Sequence, residues 1–237
     1  MIRLTFIITL LVCSTFSFGQ TKILNGVLQQ NGDTSFWYKY QNIVIKDLSL
    51  TRLDTTSSSF YFRIWKANQV LDIWKTIDNS SFGLLTSWVA EQTPAKEKPT
   101  ERILIDKKTL QSDTVHQILD LIAKTQIINL PTDDSIKGWK HGFDGVTYIT
   151  EFSSNVYYSF KTYWTPKAQD TTLKEAKQVQ FFVDKIFELS NGVTTWKMFE
   201  KNIPYECYNV GGSITCKIVT KREKRKFAKE RKNYRQQ

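Results

Sequence analysis

The stretch FYFRIWKANQVLDIWK, residues 60 to 75, constrains the fold more than any other part of this chain. Two runs rich in aromatic and aliphatic residues flank Ala67-Asn68, a two-residue turn, so the segment reads as a β-hairpin of Phe60–Lys66 with Gln69–Lys75. Counting outward from the turn places Arg63 opposite Asp72, Tyr61 opposite Trp74 and Trp65 opposite Val70. Opposite charges and paired rings facing across a strand pair support that register. On the other face Ile64 meets Leu71 and Phe62 meets Ile73. A sheet face carrying Tyr61, Arg63, Trp65, Asp72 and Trp74 either packs under a helix or presents rings and an ion pair to a sugar or peptide. Arg63 and Trp74 are therefore candidate ligand-binding residues.

The rest of the chain repeats the theme. FGLLTSWVAE and ERILID continue the meander, and QTPAKEKPTE between them reads as an exposed loop. A helix follows, capped by Ser112 or Asp113, with Val115, Ile118, Leu119 and Ile122 on one face. A second hairpin, GVTYITEF with NVYYSFKTYW, turns near Ser154-Asn155. A long helix from about Thr171 to Leu189 carries an apolar stripe and stops at Asn191-Gly192. A short one runs from about Thr194 to Lys201. Hairpins interleaved with two to three helices imply an α+β fold, an antiparallel sheet with the helices packed on one face. The expected organisation is a signal peptide at 1–19, an N-terminal extension at 20–58, one α+β domain at 59–219 and a basic tail at 220–237. Seven Trp, ten Tyr and fifteen Phe give that domain ample core material.

The N-terminus MIRLTFIITLLVCSTFSFGQ has a positive start at Arg3, an apolar run too short for the ~20 residues of a membrane span, and small Ser17 and Gly19 ahead of a cut before Gln20. It reads as a secretory signal, so the expected location is periplasmic or secreted. Lipidation at Cys13 is the less fitting option, because Val12 stands where a small residue is wanted.

The last two of three cysteines lie in ECYNVGGSITCK. Gly211-Gly212 is a hairpin turn signal. It sets Val210 opposite Ser213, Cys207 opposite Cys216 and Glu206 opposite Lys217. The cysteine pair falls at a non-hydrogen-bonded position, where Cα atoms sit about 4.5 Å apart, within disulfide range. There is no CxxC and no second Cys/His cluster, so a metal clip lacks ligands and a redox pair lacks its spacing. A Cys207–Cys216 disulfide is expected, and no metal.

These features together carry a resemblance. A leader ending in FGQ, FRIWKANQVLDIWK, GWKHGFDGVTYITEF, YSFKTYWTP and IPYECYNVGGSITC make the chain similar to a group of uncharacterised secreted proteins of Bacteroidota, over about residues 60 to 219. The resemblance implies a secreted protein. It implies no activity and carries over no catalytic residue.

Chemistry-bearing motifs are sparse. The two histidines are His116, beside a helix stripe, and His141. GxSxG, P-loop and HExxH patterns are missing, and no motif calls for a cofactor. The densest polar cluster is KGWKHGFDGVTYITE, where His141, Asp144 and Glu151 are the candidates for acid–base work, with Trp139 and Tyr148 as candidate ligand contacts.

The charge is uneven. Lys221, Arg222, Lys224, Arg225, Lys226, Lys229, Arg231, Lys232 and Arg235 face only two Glu in the tail, so +7 of the chain's +10 sits there. The body is nearly balanced, which argues against a nucleic-acid partner. A tail with a narrow apolar stripe is expected to stay solvated or form a loosely held helix, available to an anionic membrane surface or envelope polymer. The favoured reading is a non-catalytic envelope-associated binding or structural protein. The alternative is a small hydrolase-like enzyme using Trp139 to Glu151.

Overall fold

The computed structural model describes residues 22–28 and 32–236; the signal segment, its cut before Gln20 and Cys13 lie outside them. A seven-stranded sheet runs in the order β1-β7-β6-β2-β3-β4-β5. Its strands are β1 (Ile23–Asn25), β2 (Phe60–Lys66), β3 (Gln69–Lys75), β4 (Ser81–Ala90), β5 (Ile103–Thr109), β6 (Thr147–Ser153) and β7 (Tyr157–Trp164). Every pairing is antiparallel except β1 with β7. The first hairpin has the expected register, with Arg63 facing Asp72 and Trp65 facing Val70. A separate hairpin, β8 (Cys207–Val210) with β9 (Ser213–Cys216), is closed by the Cys207–Cys216 disulfide, with a Cα–Cα distance of 4.1 Å. The chain is thus α+β, dominated by an antiparallel sheet. No helix among the described residues is long and apolar enough to cross a membrane.

There are five helices among the described residues, and they cover both faces rather than one. On the first face α2 (Ser112–Thr125) and α3 (Lys174–Leu189) bury Ile118, Ile122, Phe182 and Ile186 against Phe62, Ile64, Leu71 and Ile73. The N-cap of α2 is Gln111, not Ser112 or Asp113. Asn191, with φ 53°, ends α3 and starts α4 (Gly192–Lys201) directly. On the second face α1 (Phe36–Asp47) and the segment behind it bury Val44, Ile45, Leu48 and Leu53 against Trp65, Val70, Ile149 and Phe160. The fifth helix is α5 (Lys221–Tyr234).

Two expectations are corrected here. Residues 20–58 are no mere extension: what is described of them supplies an edge strand and covers part of the second sheet face. β1 reaches β7 because Gly26, at φ +75°, lets the backbones meet; a Cβ there would lie 1.8 Å from the Phe160 carbonyl oxygen. Lys22 adds Nζ hydrogen bonds to Leu53 O and Ser153 Oγ.

The tail is the second correction. Thr220 and Glu223 form a capping box that starts α5. Arg231 is only 2 % exposed and donates two hydrogen bonds to Glu97, with Glu206 at 3.5 Å. Arg235 bonds Glu97 and Lys98 O. The Arg102 guanidinium lies between the rings of Tyr234 and Tyr205. Ion pairs and a cation–ring stack, not an apolar stripe, dock this helix. Arg231 and Arg235 are therefore spoken for within the chain.

Candidate functional site

The middle of the second sheet face is charged and closed. Glu151, Arg63 and Asp72 lie side by side on β6, β2 and β3. Arg63 Nε donates to Asp72 at 2.6 Å, and its Nη1 lies 3.6 Å from Glu151. Its guanidinium also sits over the Tyr61 and Trp65 rings. Trp65 Nε1 and the Tyr158 hydroxyl donate to the two Glu151 oxygens, each at 2.7 Å. Burial alone would lower the Arg63 pKa, but Asp72 and then Glu151 outweigh it and hold the cation firmly charged. Burial raises the Asp72 carboxyl against the opposing pull of Arg63.

Beside this row α1 leaves part of the face uncovered, and there a cleft of about 1190 Å³ opens. Its floor is Trp65, Trp88, Ile149 and Phe160. One wall is α1, with Phe36, Trp37, Tyr40 and Gln41. The opposite wall is the loop from Asp133 to Thr147, and two hairpin tips, Ala67-Asn68 and Gly211-Gly212, close an end. Phe36 is 65 % exposed and sits 5.5 Å from Trp37 and 6.4 Å from Tyr40, ring centre to ring centre, so the mouth carries an exposed aromatic shelf. Gln41 lines the cleft at 7 % exposure, and its Oε1 has no hydrogen-bond partner among the described residues.

The loop wall is rigidly held. Asp133 caps the free edge of β7, accepting from Thr162 Oγ1 at 2.7 Å and from the Trp164 amide at 2.6 Å. Burial raises its carboxyl pKa, opposed by those two hydrogen bonds. Trp139 Nε1 donates to Trp164 O, and Gln169 clasps both backbone groups of Lys140. The loop wraps the Trp164 ring so closely that a Cβ on Gly145 would lie 2.1 Å from Thr165 Oγ1 and 2.8 Å from that ring. His141 stands at the rim, Nε2 3.4 Å from Asp134 and Nδ1 4.0 Å from Asp133. The donor atoms of Asp133, Asp134 and His141 lie within 4.8 Å of one another, the spacing a divalent cation bridges, although Asp133 is already engaged by β7.

The candidate residues read from the sequence do not assemble. His141 lines the cleft, whereas Asp144 is exposed and outside its lining. Glu151 lies under the floor with both oxygens occupied. Trp139 and Tyr148 are buried in the first core, where Trp139 packs on Tyr163. Arg63 is fully buried, and Trp74 stacks between Tyr61 and Phe82. The residues that do meet at the cleft, Phe36, Trp37, Tyr40, Gln41, Asp133 and Asp134, were passed over. The run SFWYKY was their signal: four rings in six residues, placed where no core was expected.

Compared with protein-family models and with curated proteins, the chain has no match in either.

Proposed function

We propose that this chain is an exported, non-catalytic binding protein of the cell envelope, and that the cleft takes a carbohydrate chain. The observation that carries the reading is one juxtaposition. An exposed shelf of Phe36, Trp37 and Tyr40 stands beside a buried Gln41 whose Oε1 awaits a donor. Sugar rings offer both complements: flat C–H faces that stack on aromatic rings, and hydroxyls that donate to an amide oxygen. A concave surface that combines apolar and aromatic side chains with a few convergent polar groups is the usual form of a ligand site. The disulfide fits an extracytoplasmic protein. Against the enzyme alternative stands the engagement of Glu151 below the floor, which leaves His141 without that carboxylate.

The test is a tryptophan-fluorescence titration of the full chain against a panel of soluble oligosaccharides, including peptidoglycan fragments, with aromatic-rich peptides as the contrasting arm. Saturable binding of a glycan that weakens at least about tenfold in Trp37→Ala and in Gln41→Ala supports the assignment. Binding of peptides alone, or glycan binding indifferent to both substitutions, overturns it.

A further inference from the structure

The docking of α5 sorts its charges. Taking Arg231 as the inward direction and about 100° per residue, Arg222, Arg225, Lys226, Lys229 and Lys232 fall within an arc of about 120° on the far side. All five are exposed. Both helix acids, Glu223 and Glu230, project to one flank of that arc by the same count. Glu223 is turned back into the capping box, and Glu230 touches the array only at its margin, 3.8 Å from Lys226 Nζ. The inward side is neutralised separately by Glu97 and Glu206. The result is a rigid strip about 21 Å long with a cationic outer surface.

A second feature adjoins it. Ile218, two residues before the Thr220 cap, is 105 % exposed, and Ile214 on β9 is exposed as well. A bare isoleucine at the head of a cationic strip matches a surface that is anionic and has an apolar interior just beneath it. A soluble polyanion has use only for the charges.

We propose that the outer face of α5, with Ile218 beside it, is a docking surface for an anionic phospholipid bilayer. Basic side chains near such a surface each add a modest electrostatic attraction, and an apolar side chain at the headgroup boundary adds one that salt does not screen. The surface is distinct from the cleft and stands or falls independently of what the cleft holds.

The experiment is co-sedimentation of the full chain with phosphatidylcholine vesicles, with and without phosphatidylglycerol, at low and high salt. Soluble polyphosphate is titrated in parallel. Binding is expected only with phosphatidylglycerol, falling steeply with salt. The double substitution Arg225→Glu/Lys229→Glu, at exposed positions without tertiary partners in the described structure, should weaken it by about 100-fold or more. Thermal melts confirm that this variant folds. Ile218→Ser should weaken vesicle binding several-fold and leave polyphosphate binding unchanged. Equal binding to neutral vesicles, or indifference to the charge reversal, overturns the proposal. So does vesicle binding untouched by Ile218→Ser alongside tight polyphosphate binding, which assigns the strip to a soluble polyanion.

Discussion

Asn68, at the turn of the first hairpin, accepts a hydrogen bond from the backbone amide of Gly211, at the tip of the last hairpin, across 2.6 Å. Its Nδ2 donates to Trp88 O and Asn209 O at 2.9 and 3.0 Å. One buried side chain therefore pins the disulfide hairpin onto the sheet and fixes one end of the cleft.

Asn68→Ala strips partners from three backbone groups at once. Unpaired buried groups cost about 1–3 kcal/mol each before water reaches them, so a net loss of about 2–3 kcal/mol is expected in urea denaturation. A loss under about 0.5 kcal/mol, the range of a neutral surface change, would mean that the hairpin is held by other contacts.

Cys207 and Cys216 should yield no free thiol when the chain is denatured without reductant. Replacing both by Ser should cost about 2–3 kcal/mol, the chain-entropy value for so short a loop. Two titratable thiols, or a reductant-sensitive dimer, would contradict the pairing.

Arg231→Ala leaves Glu206 without its cation and Glu97 with Arg235 alone, and the helix then hangs on Arg235 and the Tyr234–Arg102 stack. Trypsin should cut within 221–234 markedly faster than in the parent chain, while the disulfide hairpin stays intact. Unchanged cleavage would show that the ion pairs do not hold the helix. Glu97 has its pKa lowered, first by its hydrogen bonds from Arg231. Its contribution is present above its unfolded pKa and fades as pH falls through the lowered one, so α5 should also loosen in acid.

Lys161 carries the clearest pH signature. Burial pushes its pKa from 10.5 down to about 8, while Nζ donates to Ile128 O. Between those values the unfolded chain binds more protons than the folded one, so stability rises with pH across that window. Below pH 8 both states are protonated and the cost of burying the cation is borne in full. Lys161→Met should therefore be more stable than the parent at pH 7, and the gap should close as pH approaches 10.5. Melts of both chains over pH 7–10.5 measure it; a gap that is constant with pH refutes the assignment.

What could be read from the sequence was local. The register of Phe60–Lys75 and the cysteine pair need only a turn and the matched pairs counted out from it, because a hairpin's partner lies a few residues away. What escaped was non-local. β1 is three residues long and its partner strand was invisible until Gly26 was seen against Phe160. Arg231 looked like one charge of nine in the tail, since nothing in KREKRKFAKERK marks the residue that meets Glu97, 134 positions earlier. The cleft is hard to read for the same reason: its walls come from α1, the 133–147 loop and two hairpin tips, and SFWYKY marks only the α1 wall.

The pairing of β1 with β7 also sets an order of events. Asn25 and Tyr157, bonded through their side chains, are 132 residues apart. The hairpins β2–β3 and β6–β7 can close as soon as each is made, whereas β1 emerges first and has no partner until Tyr157 follows. Until then the strand edge that Gly26 lies against does not exist, and Phe160, which packs in the core under α1, is not yet in place. The β1 segment is thus a clasp whose seat is made 132 residues after it: the edge it closes cannot form before β7 does.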